Sequence, residues 1–113
     1  MSPDQESSLR KQLVCAARAL LSMQAGITVG ALRVGKLLEE LGECYQAQHS
    51  VIGEFAQAIP ADIPVGTARL YWAPGPLMQR DAVLATIESR YRRELLQECF
   101  LIIGLYKSEG ALD

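Results

Sequence analysis

The chain has 113 residues, half of them hydrophobic and 21% charged, the balance of a folded domain and not of a disordered segment. The net charge is −2 with a pI of about 5.4, and it is spread evenly: residues 1–58 carry five basic and six acidic groups, residues 59–113 six and seven. No basic field exists to attract nucleic acid or an anionic membrane, and the longest apolar run, Cys99 to Tyr106, is too short to span a bilayer.

Ser2-Pro3-Asp4-Gln5 reads as a helix opening, with Ser2 as N-cap, Pro3 at the first helical position and Gln5 completing a capping box. Leu9, Leu13, Ala16 or Ala17, and Leu20 recur at helical spacing, and Gly26 is the expected stop, so the first helix is predicted over 3–24. A second helix is predicted over 28–42, capped by Thr28 and closed by Gly42, with Ile27, Ala31, Val34, Leu38 and Leu41 as its stripe. Its internal Gly30 and Gly35 each cost about 1 kcal/mol relative to alanine, and close packing against the first helix is a reason to keep them.

The middle is less regular. Residues 50–58 suit a short helix capped by Ser50. Pro60 and Pro64 then forbid regular helix, so an ordered loop is expected, followed by one helical turn over 66–72. The last helix begins near Pro76 and meets no breaker until Gly104. Leu77, Leu84, Ile87, Tyr91, Leu95, Cys99 or Glu98, Ile102 and Tyr106 form its stripe; Leu96, Phe100, Leu101 and Ile103 make its end apolar nearly all round, as in a central helix or an oligomer interface.

The expected architecture is a single all-α domain over 1–113, a small bundle of three long helices plus one or two short helical segments, the first two helices forming a hairpin and the last running through the centre. Cys15, Cys44 and Cys99 are odd in number and scattered, which reads as reduced thiols. With a polar, acidic N-terminus lacking the pattern of a signal peptide, this makes cytoplasm the expected compartment.

Signals for chemistry are weak. Gly30 to Lys36 matches the start of a phosphate loop, but Leu37 stands where a Mg²⁺-binding hydroxyl is needed and the segment is an amphipathic helix. His49, the only histidine, lies in a polar stretch and is expected to be a solvated loop residue. Glu39/Glu43 and Glu94/Glu98 are spaced as exposed helix faces, Glu98 being nearest the apolar stripe; no Glu-x-x-His motif accompanies them. Arg90, Arg92 and Arg93 are balanced by Glu88 and Glu94 and read as a solvated face. No catalytic residue, metal site or cofactor is assigned, and the chain is expected not to be an enzyme.

The stretch from Asp62 to Asp81 stands out. Asp62, Arg69, Tyr71, Trp72 and Asp81 combine large aromatic area with forked donors, the residue types of binding hot spots. The plainer reading is that Trp72 pins the loop to the core while Arg69 pairs with Asp62 or Asp81.

Pro64-Val65-Gly66, Arg69, Trp72-Ala73-Pro74, Leu77, Asp81, Glu88, Tyr91-Arg92 and Cys99 together resemble a family of small bacterial helical proteins with no assigned activity. That resemblance implies an all-helical fold and bacterial origin and transfers no functional residue. The expected function is a non-catalytic protein-interaction module, most concretely an immunity protein that neutralises a toxin. The alternative is a small-ligand-binding or regulatory domain with a pocket near Trp72 and Tyr91. Another protein is the expected partner, and a homodimer through the C-terminal helix is a further expectation, with no nucleic acid or membrane partner.

Overall fold

A computed structural model describes the backbone of residues 1–111 and the side chains of residues 1–107. In order come α1 (Pro3–Leu21), α2 (Ile27–Leu41), α3 (Glu43–Gln48), α4 (Ser50–Ala58), a 3₁₀ helix (Gly66–Tyr71) and α5 (Pro74–Ala111). The fold is all-α, an elongated bundle of 48 × 25 × 24 Å. Among the described residues no helix is long and apolar enough to cross a membrane.

The start of α1 follows from its first four residues. Ser2 Oγ accepts from the Gln5 backbone N–H at 3.2 Å and Gln5 Oε1 accepts from the Ser2 N–H at 3.0 Å, which closes the capping box. The helix ends at Leu21, three residues before the expected end. The Ser22, Met23 and Gln24 N–H groups bond back to carbonyls of the last turn, and Met23 adopts φ 63°.

Gly26 is not the stop of α1. It is the N-cap of α2, and Thr28 lies inside that helix. The α2 stop is as expected: Gly42 takes φ 120°, a conformation that a side chain resists. Gly30 does permit close approach to α1, because a Cβ there would stand 3.1 Å from Leu20 Cδ1. Gly35 faces elsewhere, its missing Cβ lying 3.3 Å from Ile52 Cγ2 on α4.

Two short helices occupy the middle. α3 falls where no element is expected; none of its six residues is fully buried, and Tyr45 packs partly against the core. α4 spans the expected residues, but His49, not Ser50, holds the N-cap position and makes no side-chain cap bond.

The core is one cluster. α1 contributes Leu13, Val14, Ala16, Ala17 and Leu20; α2 contributes Ile27, Ala31, Val34, Leu37, Leu38 and Leu41; α4 adds Ile52 and Phe55. α5 runs along α1 and also meets α4 and α2. It buries Leu95, Cys99, Ile102 and Tyr106 in that cluster, and Leu84 nearer its start. The opposite face stays open: Phe100 is 68% exposed and Leu101 59%. The C-terminal half of α5 is therefore not enclosed on all sides.

Two substitutions separate the faces. Leu95→Ala removes a fully buried side chain and should destabilise by about 2–5 kcal/mol. Phe100→Ala, five residues on, should change stability by no more than about 0.5 kcal/mol. Urea unfolding of the two variants reads both, and a Phe100→Ala cost equal to that of Leu95→Ala would show that the outer face is covered in the free protein.

Candidate functional site

Residues 59–73 form a fixed arm over the first turns of α5. Pro60 and Pro64 prevent helix, the Ile63 N–H bonds the Pro60 carbonyl at 3.1 Å, and Ile63 and Pro64 are buried. Gly66 at φ 60° turns the chain into the 3₁₀ helix, a conformation that asks for glycine. The Trp72 N–H closes the last turn on the Arg69 carbonyl at 3.2 Å.

Two ion pairs then tie the arm down. Both terminal nitrogens of Arg69 donate to the two carboxylate oxygens of Asp81, the second at 2.9 Å. Arg80 and Asp62 meet at 2.9 Å. Isolated surface pairs stabilise little, but the forked geometry of the first and the opposite chain order of the second fix direction as well as distance. Trp72, half-buried, lines a surface depression of about 350 Å³ with Ile63, Pro64 and Val65. Of the five residues expected to bind a partner, Arg69 and Asp81 pair together, Asp62 pairs with Arg80 instead, and Trp72 stays among residues of the arm itself. Tyr71 alone is free in solvent at 89% exposure, beside Leu70 at 82%. Trp72 and Tyr91 do not form one pocket: the Tyr91 ring sits edge-on to Phe55 at 5.7 Å, in the bundle.

The arm also closes one side of a hollow at the start of α2. Thr28 Oγ donates to Glu88 Oε2 at 2.6 Å. α2 has no acidic residue in its first turn and no side-chain cap, so the Glu88 carboxylate supplies negative charge at its positive end.

His49 departs furthest from its expected place. It is 1% exposed and not a solvated loop residue. Its Nδ1 lies 3.0 Å from Glu98 Oε2 and its Nε2 3.0 Å from the Tyr106 hydroxyl. The neutral tautomer that satisfies every group has Nδ1–H donating to the carboxylate and Nε2 accepting from the tyrosine O–H. The network continues outward. The Tyr106 ring meets the Tyr45 ring at 5.8 Å, and the Arg10 guanidinium stands over both rings at 5.7 and 5.8 Å. Arg10 Nε–H donates to the Tyr45 oxygen at 2.7 Å, and the Tyr45 O–H donates to Glu6 at 2.6 Å. Burial pushes the Tyr106 and Tyr45 hydroxyls above their ordinary values, so both remain protonated donors. Burial, with the nearby Glu98 charge, pushes the Cys99 thiol up to about 11, which makes it inert as a nucleophile at neutral pH. Glu39, Glu43 and Glu94 are exposed as expected, and among the described residues no three His, Cys, Asp or Glu side chains are grouped to hold a metal ion.

Two features of the sequence bear on this network, although neither brings His49 and Glu98 together by itself. Tyr106 sits on the α5 stripe, and a buried tyrosine hydroxyl needs a partner. His49 lies four residues after Tyr45, one helical turn away, and Glu98 borders the same stripe.

Removing the imidazole strands the Glu98 carboxylate and the Tyr106 hydroxyl. His49→Leu should therefore destabilise by about 2–4 kcal/mol, and Tyr106→Phe by about 1 kcal/mol, in urea unfolding at neutral pH. A neutral His49→Leu would show that water replaces the ring without cost. The arm gives a pH signature. The Arg69 hydrogen bonds hold the Asp81 carboxyl below its ordinary value, so its stabilising contribution is full above that value and is lost as pH falls through the folded one. Below about pH 4 the wild type should lose stability more steeply than Asp81→Asn, and equal slopes would show that the pair contributes nothing.

A model of a family described as a protein of unknown function, DUF2489, matches residues 2–102 of the chain. No curated protein and no solved structure matches it. With nearly the whole chain matched, including the arm and most of α5, this protein belongs to the DUF2489 family.

Proposed function

We propose that this protein is a non-catalytic protein-interaction module whose binding surface is the tip of the arm. The observation that carries the reading is the pair Leu70 and Tyr71, 82% and 89% exposed at the end of an arm that two ion pairs join to α5. Burial of these side chains in a partner's pocket would yield about 2 kcal/mol for each, and the ion pairs to α5 restrict the paths the arm can take and so reduce the ordering cost. Met78, 72% exposed on the first turns of α5, extends the apolar surface of the same end of the molecule. The buried, fully engaged His49 supports a structural and not a catalytic role for the only imidazole.

The concrete form of this reading is an immunity protein that occupies a toxin. Such a protein needs a rigid complementary surface and no chemistry of its own, which a small, mildly acidic bundle supplies.

The test compares three tagged proteins in the native host at physiological salt: wild type, Leu70→Ser/Tyr71→Ser, and Phe100→Ser/Leu101→Ser. The expected result is one stoichiometric partner with the wild type and the α5 variant, lost with the arm variant. Loss in the α5 variant alone overturns the assignment of the surface. A partner that is toxic alone and silenced by co-expression of this chain identifies the immunity role; a harmless partner removes it.

A further inference from the structure

The hollow beneath the arm has a volume of about 160 Å³ and is walled by groups of opposite charge. Arg69 and Glu88 both line it, together with Thr28, Val65, Gly66 and Leu84. A guanidinium has five N–H donors. Asp81 takes two of those of Arg69, and among the described residues the other three have no protein acceptor. Glu88 is half committed: Oε2 accepts from Thr28, and Oε1 has no protein donor among the described residues. The two charges feel each other, since Glu88 adds to the field on Arg69, yet no ion pair joins them. Each is held by a bond to another residue, Arg69 by Asp81 and Glu88 by Thr28.

We propose that this hollow binds a small zwitterion of α-amino-acid size, its carboxylate received by the free N–H groups of Arg69 and its ammonium by Glu88 Oε1. The volume corresponds to about five waters of liquid, which matches a molecule such as glycine, alanine or serine. A net-neutral ligand with separated charges satisfies both walls, whereas an anion meets the Glu88 carboxylate and a cation meets Arg69. Leu84, buried, and Val65 give the hollow an apolar floor that suits a short side chain. This site is independent of the arm tip, because Leu70 and Tyr71 take no part in its walls.

The experiment titrates the ¹⁵N-labelled full chain with L-alanine, and separately with acetate and with ethylammonium, and follows the Gly26 and Gly66 amides that border the hollow. Alanine should produce saturable shifts at both amides with a dissociation constant of roughly millimolar order, and each one-charge analogue should bind roughly tenfold more weakly or worse. Glu88→Gln keeps an acceptor for Thr28 and removes the charge; it should lose alanine by roughly tenfold while acetate binding strengthens. Three results overturn the proposal. One is no saturable shift up to roughly 50 mM alanine. Another is acetate binding as tightly as alanine, which would make the hollow an anion site. The last is a Glu88→Gln protein, folded by its amide spectrum, that holds alanine unchanged.

Discussion

Burial of one stripe on α5 orders the rest of the molecule. Leu95, Cys99 and Ile102 are fully buried in the core cluster that α5 shares with α1, and this packing fixes where the other described side chains of the helix point. The polar residues of α5 then meet one neighbouring segment after another. Arg80 and Asp81 hold the arm, Glu88 meets the start of α2, Tyr91 meets α4, and Glu98 and Tyr106 hold His49 at the α3–α4 junction. A rotation of α5 by one residue, about 100°, would break all of these together. The helix therefore acts as a ruler along which the shorter elements are registered.

The two ends of that ruler are built from different physics. At the C-terminal end the His49 network is buried, so its hydrogen bonds are costly to break and its unsatisfied alternatives costlier still. It contributes specificity of packing: only one placement of the α3–α4 corner satisfies the imidazole, the carboxylate and the phenol together. At the N-terminal end the pairs are about 40% exposed and individually weak. They register the arm without locking it into the core, and they leave Leu70, Tyr71 and the hollow beside Glu88 open to solvent. Stability and the candidate surfaces are thus separated along one helix.

Much of this was legible in the residues. The capping box at Ser2, the α5 stripe and the stop at Gly42 each rest on local rules that the tertiary structure leaves intact. The pairing of Arg69 with Asp81 was legible as one of two choices, and the choice needed the arm's path. Other features were hidden because they depend on distant segments. Thr28 looks like a cap by sequence, but it lies inside α2 and its hydroxyl donates to Glu88, sixty residues away. His49 looks solvated because its neighbours are polar, and its partners come from forty-nine and fifty-seven residues further on. The short α3 has no buried residue and so left no apolar period to find. The resemblance drawn from the Pro-Val-Gly, Arg and Trp-Ala-Pro pattern led to an uncharacterised family, and the family match is of that kind.

The interaction reading turns on whether the arm tip meets another protein in the cell. A photo-crosslinking amino acid placed at position 71, with a control at position 36 on the exposed face of α2, tests this in the native host. The account predicts a single covalent adduct of defined mass from position 71 and none from position 36. The same adducts from both positions, or none from position 71, would contradict it and leave Tyr71 as an exposed side chain without a partner.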